Sequence, residues 1–161
     1  MTRAWAVLAL LLTLAIAGCG DADPGSSASG DLEVHGAWVE PSPTGKGPAG
    51  GFLTLMNRSD RAWVLVGASS PDAGRVELHR SWIEGGIARM APVATARVEP
   101  GEHFAFEPGG YHLMIFDAPA LASASGLSLR LEFENGEVRE VEATLGSAGG
   151  HAAGQGDHSA H

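Results

Sequence analysis

Tyr111-His112-Leu113-Met114-Ile115-Phe116 (YHLMIF) reads as a strand. Side chains in a strand alternate with period two, so Tyr111, Leu113 and Ile115 share one face and His112, Met114 and Phe116 share the other. One apolar face is enough to seat a strand in a β-sandwich. The second face, with a histidine and a methionine two residues apart, needs its own explanation. Side-chain packing and metal binding each supply one.

Working outward, the turn Pro108-Gly109-Gly110 leads into this strand, and Asp117 to Gly126 leaves it as a loop with at most one helical turn. Leu127 to Glu134 and Glu137 to Thr144 flank Asn135-Gly136, a two-residue hairpin signal because both residues tolerate positive φ. On the other side, His103 to Phe106 forms a short strand or an edge. Arg75 to Trp82 and Gly86 to Val93 make a hairpin around Glu84-Gly85. Gly51 to Asn57 and Arg61 to Val66 are strands joined by the polar turn Asn57-Arg58-Ser59-Asp60. Leu32, Val34 and Trp38-Val39 start the fold, with an irregularity near Gly36, and Pro41 to Gly50 reads as a loop. Seven to nine short strands with Gly and Pro turns, and no convincing amphipathic helix, predict an all-β sandwich or barrel.

The ends of the 161-residue chain are of different character. Residues 1–18 read as an export leader: Arg3 is the basic start, Ala6 to Ala17 is apolar, and the run is too short to span a bilayer comfortably. Ile16-Ala17-Gly18-Cys19 resembles a bacterial lipobox, which makes Cys19 the expected site of lipidation and membrane anchoring. Residues 19–30 (CGDADPGSSASG from Cys19) read as a flexible tether, residues 31–145 as the folded domain, and residues 146–161 as a disordered tail rich in Gly and His. His151, His158 and His161 lie in that tail, where they are either a solubilising feature or a loose auxiliary metal site. The net charge is −9 and Lys46 is the only lysine, which argues against nucleic acid as a partner. With one cysteine, no internal disulfide can form.

His79 follows Val76 and Leu78, so it points away from the core together with Glu77 and Ser81. With a Glu84-Gly85 loop, His79 faces Met90 across the hairpin. With a Gly85-Gly86 loop, Met90 faces Ser81 and His79 lies one diagonal step away. Either register leaves the two within reach of one ion. His112 and Met114, two apart on one face, would complete a set of two imidazoles and two thioethers. Thioether selects soft Cu(I) over calcium, magnesium or structural zinc. Each residue taken singly also has an ordinary role: Met90 and Met114 as core fillers, His79 as a surface residue, His112 as a hydrogen-bonded histidine. Met56 reads as core, while His35 and His103 read as solvent-facing.

The spacing His79, ten residues, Met90, twenty-one residues, His112-x-Met114 matches the motif of the periplasmic copper chaperones called the PCu(A)C family. Similar text surrounds it: Ala37-Trp38, Gly50-Gly51-Phe52-Leu53-Thr54-Leu55, Val76-Glu77-Leu78-His79 and Pro108-Gly109-Gly110-Tyr111-His112. The resemblance runs from about Leu32 to Leu145. It implies a cupredoxin-like, Greek-key β-sandwich that binds one Cu(I) through His79, Met90, His112 and Met114. It further implies a periplasmic or other extracytoplasmic location and delivery of copper to a receiving protein, such as cytochrome oxidase or one of its assembly factors. Relatives often carry extra His or Met beside the first two ligands. Here Arg80-Ser81-Trp82 and Ala88-Arg89 stand there, so no additional site is implied.

No enzyme is expected, because no serine or acid stands convincingly beside the histidines. A blue-copper carrier needs a cysteine ligand, and Cys19 precedes the domain. The competing readings are a copper storage or resistance protein that uses the tail, and a β-sandwich interaction module in which His112 and Met114 only pack. Trp82 is read as sheet packing, with covering of the site as its alternative.

Overall fold

The structure is a computed structural model and describes residues 31–44 and 47–146. Cys19, the expected leader and tether, and His151, His158 and His161 lie outside the described residues. The described part is all-β, as expected: β1 (Leu32–Glu40), β2 (Ala49–Asn57), β3 (Trp63–Ser69), β4 (Arg75–Glu84), β5 (Ile87–Pro92), β6 (Ala96–Val98), β7 (His103–Phe106), β8 (Tyr111–Phe116), β9 (Gly126–Phe133) and β10 (Val138–Leu145). The expected helical turn is a single 3-10 turn, Pro119–Ala122.

All ten strands join one sheet in the order β5-β4-β8-β7-β2-β1-β10-β9-β3-β6, with β8 also pairing to β2. Leu113 and Ile115 of β8 and Leu129 and Leu131 of β9 lie far apart in that order but belong to one buried cluster. The sheet therefore curls on itself, and its two halves face each other across the core as the layers of a sandwich do. Strand pairing is mixed: β1–β10 and β7–β8 are parallel, while the others are antiparallel.

The polar turn after Asn57 does not close a hairpin. β2 pairs with β1, β7 and β8, whereas β3 pairs with β6 and β9, so the turn carries the chain from one half of the sheet to the other. β6, three residues long, had no signal of its own in the sequence.

Two hairpin turns differ from expectation, each for a local reason. In β4–β5 the register pairs Glu84 with Ile87, so the loop is Gly85-Gly86. Both glycines have positive φ, 58° and 80°, the requirement of a type I′ turn and one that Glu84 would meet only with strain. In β9–β10 the loop has three residues, Glu134-Asn135-Gly136, not two. Gly136 N–H donates to the Phe133 carbonyl and Gly136 alone has positive φ, which describes a type I turn closed by a glycine bulge.

The irregularity in β1 has a structural consequence. Pairing with β2 shifts by one residue between His35 and Trp38. Before the shift Leu32 and Val34 face the core; after it Ala37 and Val39 do. The extra residue thus turns Trp38 to the outer face of the sheet, where its ring stacks on Phe52 at 4.3 Å.

Candidate metal centre

The centre is built on β4, β5 and β8, at one end of the sheet. His79 and His112 are directly opposed across the β4–β8 ladder, so both leave it on the same side. On the other side the neighbouring pair Leu78 and Leu113 enters the core. The two imidazole centroids are 6.0 Å apart. Both rings are buried, at 8% and 7% exposure. Met90 faces Ser81 rather than His79, the second of the two registers weighed above. From there its side chain reaches diagonally, and its Sδ lies 3.2 Å from His112 Nε2. Met114 is half-buried on the same face of β8, one pleat from His112 and opposite Glu77 of β4 and Gly50 of β2.

A wall of aromatic rings continues this face. The Phe52 centroid is 6.4 Å from that of His112, and the Trp38 ring stacks behind Phe52. Phe52 lies along its own strand over Gly50, where a Cβ would come within 2.9 Å of the ring.

Hydrogen bonding sets the proton on each imidazole. A carbonyl only accepts, so His112 Nδ1 carries the proton and donates to the Gly110 carbonyl at 3.0 Å. A neutral His112 then presents the lone pair of Nε2 to a thioether sulfur, and two electron-pair donors meet. Only a cation, a proton or a metal ion, makes that contact favourable. A carboxylate also only accepts, so His79 Nε2 donates to Glu77 Oε2 at 2.9 Å. His79 Nδ1 is left with its lone pair, buried and with no hydrogen-bond partner. Buried polar atoms are rarely left so, and this one needs an account. The Glu77 carboxyl is held below its ordinary value, first by the hydrogen bond from His79 and then by the charge of Arg75, against opposing desolvation.

Among the described residues no three of His, Cys, Asp and Glu come together in a way that would hold an ion. A hard-donor or zinc-type site is thus not assembled there. The chemistry on offer is two imidazole nitrogens with thioether sulfur, a set suited to a soft cation.

The other candidates fall where the sequence put them or nearby. His35 is exposed and bonds Glu33 at 2.8 Å; His103 is exposed at the start of β7. Met56 is half-buried opposite His103, not core. Trp82 lies on the face opposite His79 by strand alternation and does not cover the centre. Arg75, Phe52 and Trp38 were missed as neighbours of the centre. Arg75 and Glu77 share the face of His79 by alternation, which was legible; Trp38 was hidden by the bulge.

The family model described as "LpqE-like: Putative lipoprotein LpqE-like" matches residues 32–145. The chain belongs to the LpqE-like family. Within reach of this LpqE-like chain is "Putative lipoprotein Lxx21020" of Leifsonia xyli, 30% identical over 149 residues and covering 88% of this chain and 87% of the relative. Among solved structures, the apo PCuAC domain from PmoF1 superposes with a TM-score of 0.59 at 24% identity, over 73% of this chain and 95% of the domain. Apo-DR1885 from Deinococcus radiodurans gives 0.54 at 25% identity, over 90% and 95%. The CuI form of DR1885 gives 0.54 at 24%, over 76% and 82%. These likenesses establish the LpqE-like chain's fold as that of the PCuAC domains, the fold its motif predicted.

Proposed function

We propose that this LpqE-like domain is an extracytoplasmic carrier of Cu(I), holding one ion with His79, Met90, His112 and Met114 and passing it to a partner by ligand exchange. The observation that carries the reading is the His112 Nε2 lone pair set 3.2 Å from Met90 Sδ, together with the buried and unpartnered Nδ1 of His79, whose ring centroid is 6.0 Å from that of His112. Those donors come from three adjacent strands of one sheet, and together they select a soft cation. The copper-bound form known for a protein of the same fold supports the choice of metal.

Delivery, as opposed to storage, is favoured by where the centre opens. Met90 is 52% exposed, and it rides on an edge hairpin whose Ile83 and Ile87 are also exposed. A partner's donor can approach there and displace a weak thioether while copper stays bound. The recipient we infer is a protein offering a competing soft donor, such as the dinuclear copper centre of cytochrome oxidase or a factor that assembles it. Lipidation of Cys19 would hold the carrier at a membrane surface, consistent with relatives named as lipoproteins. Binding and hand-over require no turnover of substrate.

The test is competition of the purified protein with a Cu(I) chelator. One ion per chain is expected. His79→Ala and Met114→Leu should each weaken binding by at least about tenfold, roughly 1.4 kcal/mol, with the β-rich circular dichroism spectrum retained. Wild-type affinity in both variants would refute the ligand set.

A further inference from the structure

On the reading just given, the ligands differ in how they are held, and the difference lies in residues outside the ligand set. Each oxygen of Glu77 has one partner. Oε2 accepts from His79 Nε2 at 2.9 Å, and Oε1 accepts from Arg75 Nε at 2.8 Å. Arg75 in turn lies 4.1 Å over the Phe116 ring, the residue directly opposite it on β8. The row Phe116, Arg75, Glu77, His79 occupies one face of the β4–β8 ladder and ends at the buried, unpartnered Nδ1.

We propose that Glu77, braced by Arg75, is a positioning residue that locks His79 in its Nε2–H tautomer and so turns the Nδ1 lone pair to the ion. His112 uses the opposite arrangement. Its Nδ1 is tied to the Gly110 carbonyl and its Nε2 faces Met90. The two imidazoles therefore bind through different nitrogens, one oriented by a carboxylate side chain and the other by a backbone carbonyl. A hydrogen-bonded carboxylate behind an imidazole ligand fixes the ring and raises its basicity, and its loss commonly lowers metal affinity by about 10- to 100-fold. Glu77 is a third exposed, so its replacement leaves the core intact.

Imidazole tautomers can be read without copper, from long-range proton–nitrogen correlations of the 15N-labelled apo protein at a pH where the rings are neutral. The wild-type chain is expected to show His79 as Nε2–H and His112 as Nδ1–H. In Glu77→Ala, His79 should shift toward a mixture of tautomers while His112 stays unchanged as the internal control. Cu(I) affinity should fall about 10- to 100-fold. Glu77→Gln, whose amide oxygen can still accept, should keep more of both properties, and Arg75→Ala should lose less than Glu77→Ala. An Nδ1–H tautomer at His79 in the wild type overturns the proposal. So does a Glu77→Ala protein that leaves the His79 tautomer or the Cu(I) affinity unchanged. A wild-type chain with the expected tautomers that takes up no Cu(I) would instead overturn the carrier reading, leaving the hold of Glu77 on His79 standing.

Discussion

Asn57, 1% exposed at the end of β2, is a buried polar side chain with every group engaged. Its amide nitrogen donates to the carbonyls of Arg61, Val98 and Glu99, and its oxygen accepts from the backbone and hydroxyl of Ser59. It therefore ties together the turn into β3 and the segment between β6 and β7. Removing it takes a donor from three carbonyls, that of Val98 in a buried bond, so Asn57→Ala should cost about 3 kcal/mol in urea denaturation. A loss within about 0.5 kcal/mol, the range of ordinary surface changes, would show that those carbonyls find other donors. The identity of Asn57 was visible in the sequence, but its partners 41 and 42 residues away were not. The same holds for His112. Alternation in YHLMIF placed it on the outer face with Met114, yet the carbonyl that sets its tautomer depends on how the Pro108-Gly109-Gly110 turn bends.

At the scale of elements, the β4–β5 hairpin shows what sequence patterns decide and what they leave open. Both registers predicted a hairpin with His79 and Met90 on one face, and both were compatible with a shared ion. The choice between them rested on two backbone torsions, and two adjacent glycines satisfy the turn better than Glu84-Gly85 does. The β1 bulge was less legible, since one extra residue reverses the face of everything that follows. The β9–β10 turn was read one residue too short because Asn-Gly fits both loop lengths. The hairpin also yields a prediction. Gly86 has φ of 80°, and a β-branched residue there costs roughly 1–2 kcal/mol. In Gly86→Val the exposed tip should loosen, amide exchange from Ser81 to Met90 should quicken, and Cu(I) should bind more weakly. Exchange in β9, deep in the core, should not change. Equal acceleration in β9 would mean that hairpin and core open as one unit.

Across the whole molecule, the centre and the core occupy opposite faces of the same strands. Leu113 and Ile115 point inward from β8 while His112 and Met114 point outward, so site and stability are separable by design of the alternation. Leu129 is fully buried in β9, and Leu129→Ala should lower unfolding free energy by about 2–5 kcal/mol. His79→Ala and Met114→Leu should each cost less than that in the copper-free protein. Paired thermal melts with and without Cu(I) check the contrast: the core variant should melt early yet still gain from the ion, and the ligand variants should gain little. Loss of copper-dependent stabilisation in Leu129→Ala, with the folded state still populated, would count against the separation.

The unequal exposure of the donors gives any hand-over a direction. His79 and His112 are nearly sealed, whereas Met90 stands half in water at the margin of the sheet. On the proposed reading, an incoming sulfur or nitrogen would meet the ion most readily from the Met90 side, so that thioether would detach first and the imidazoles last. On the proposed ligand set the transient species would hold the ion between the two rings and Met114 of the donor protein and one atom of the acceptor. Its lifetime would depend on how readily a single methionine swings aside.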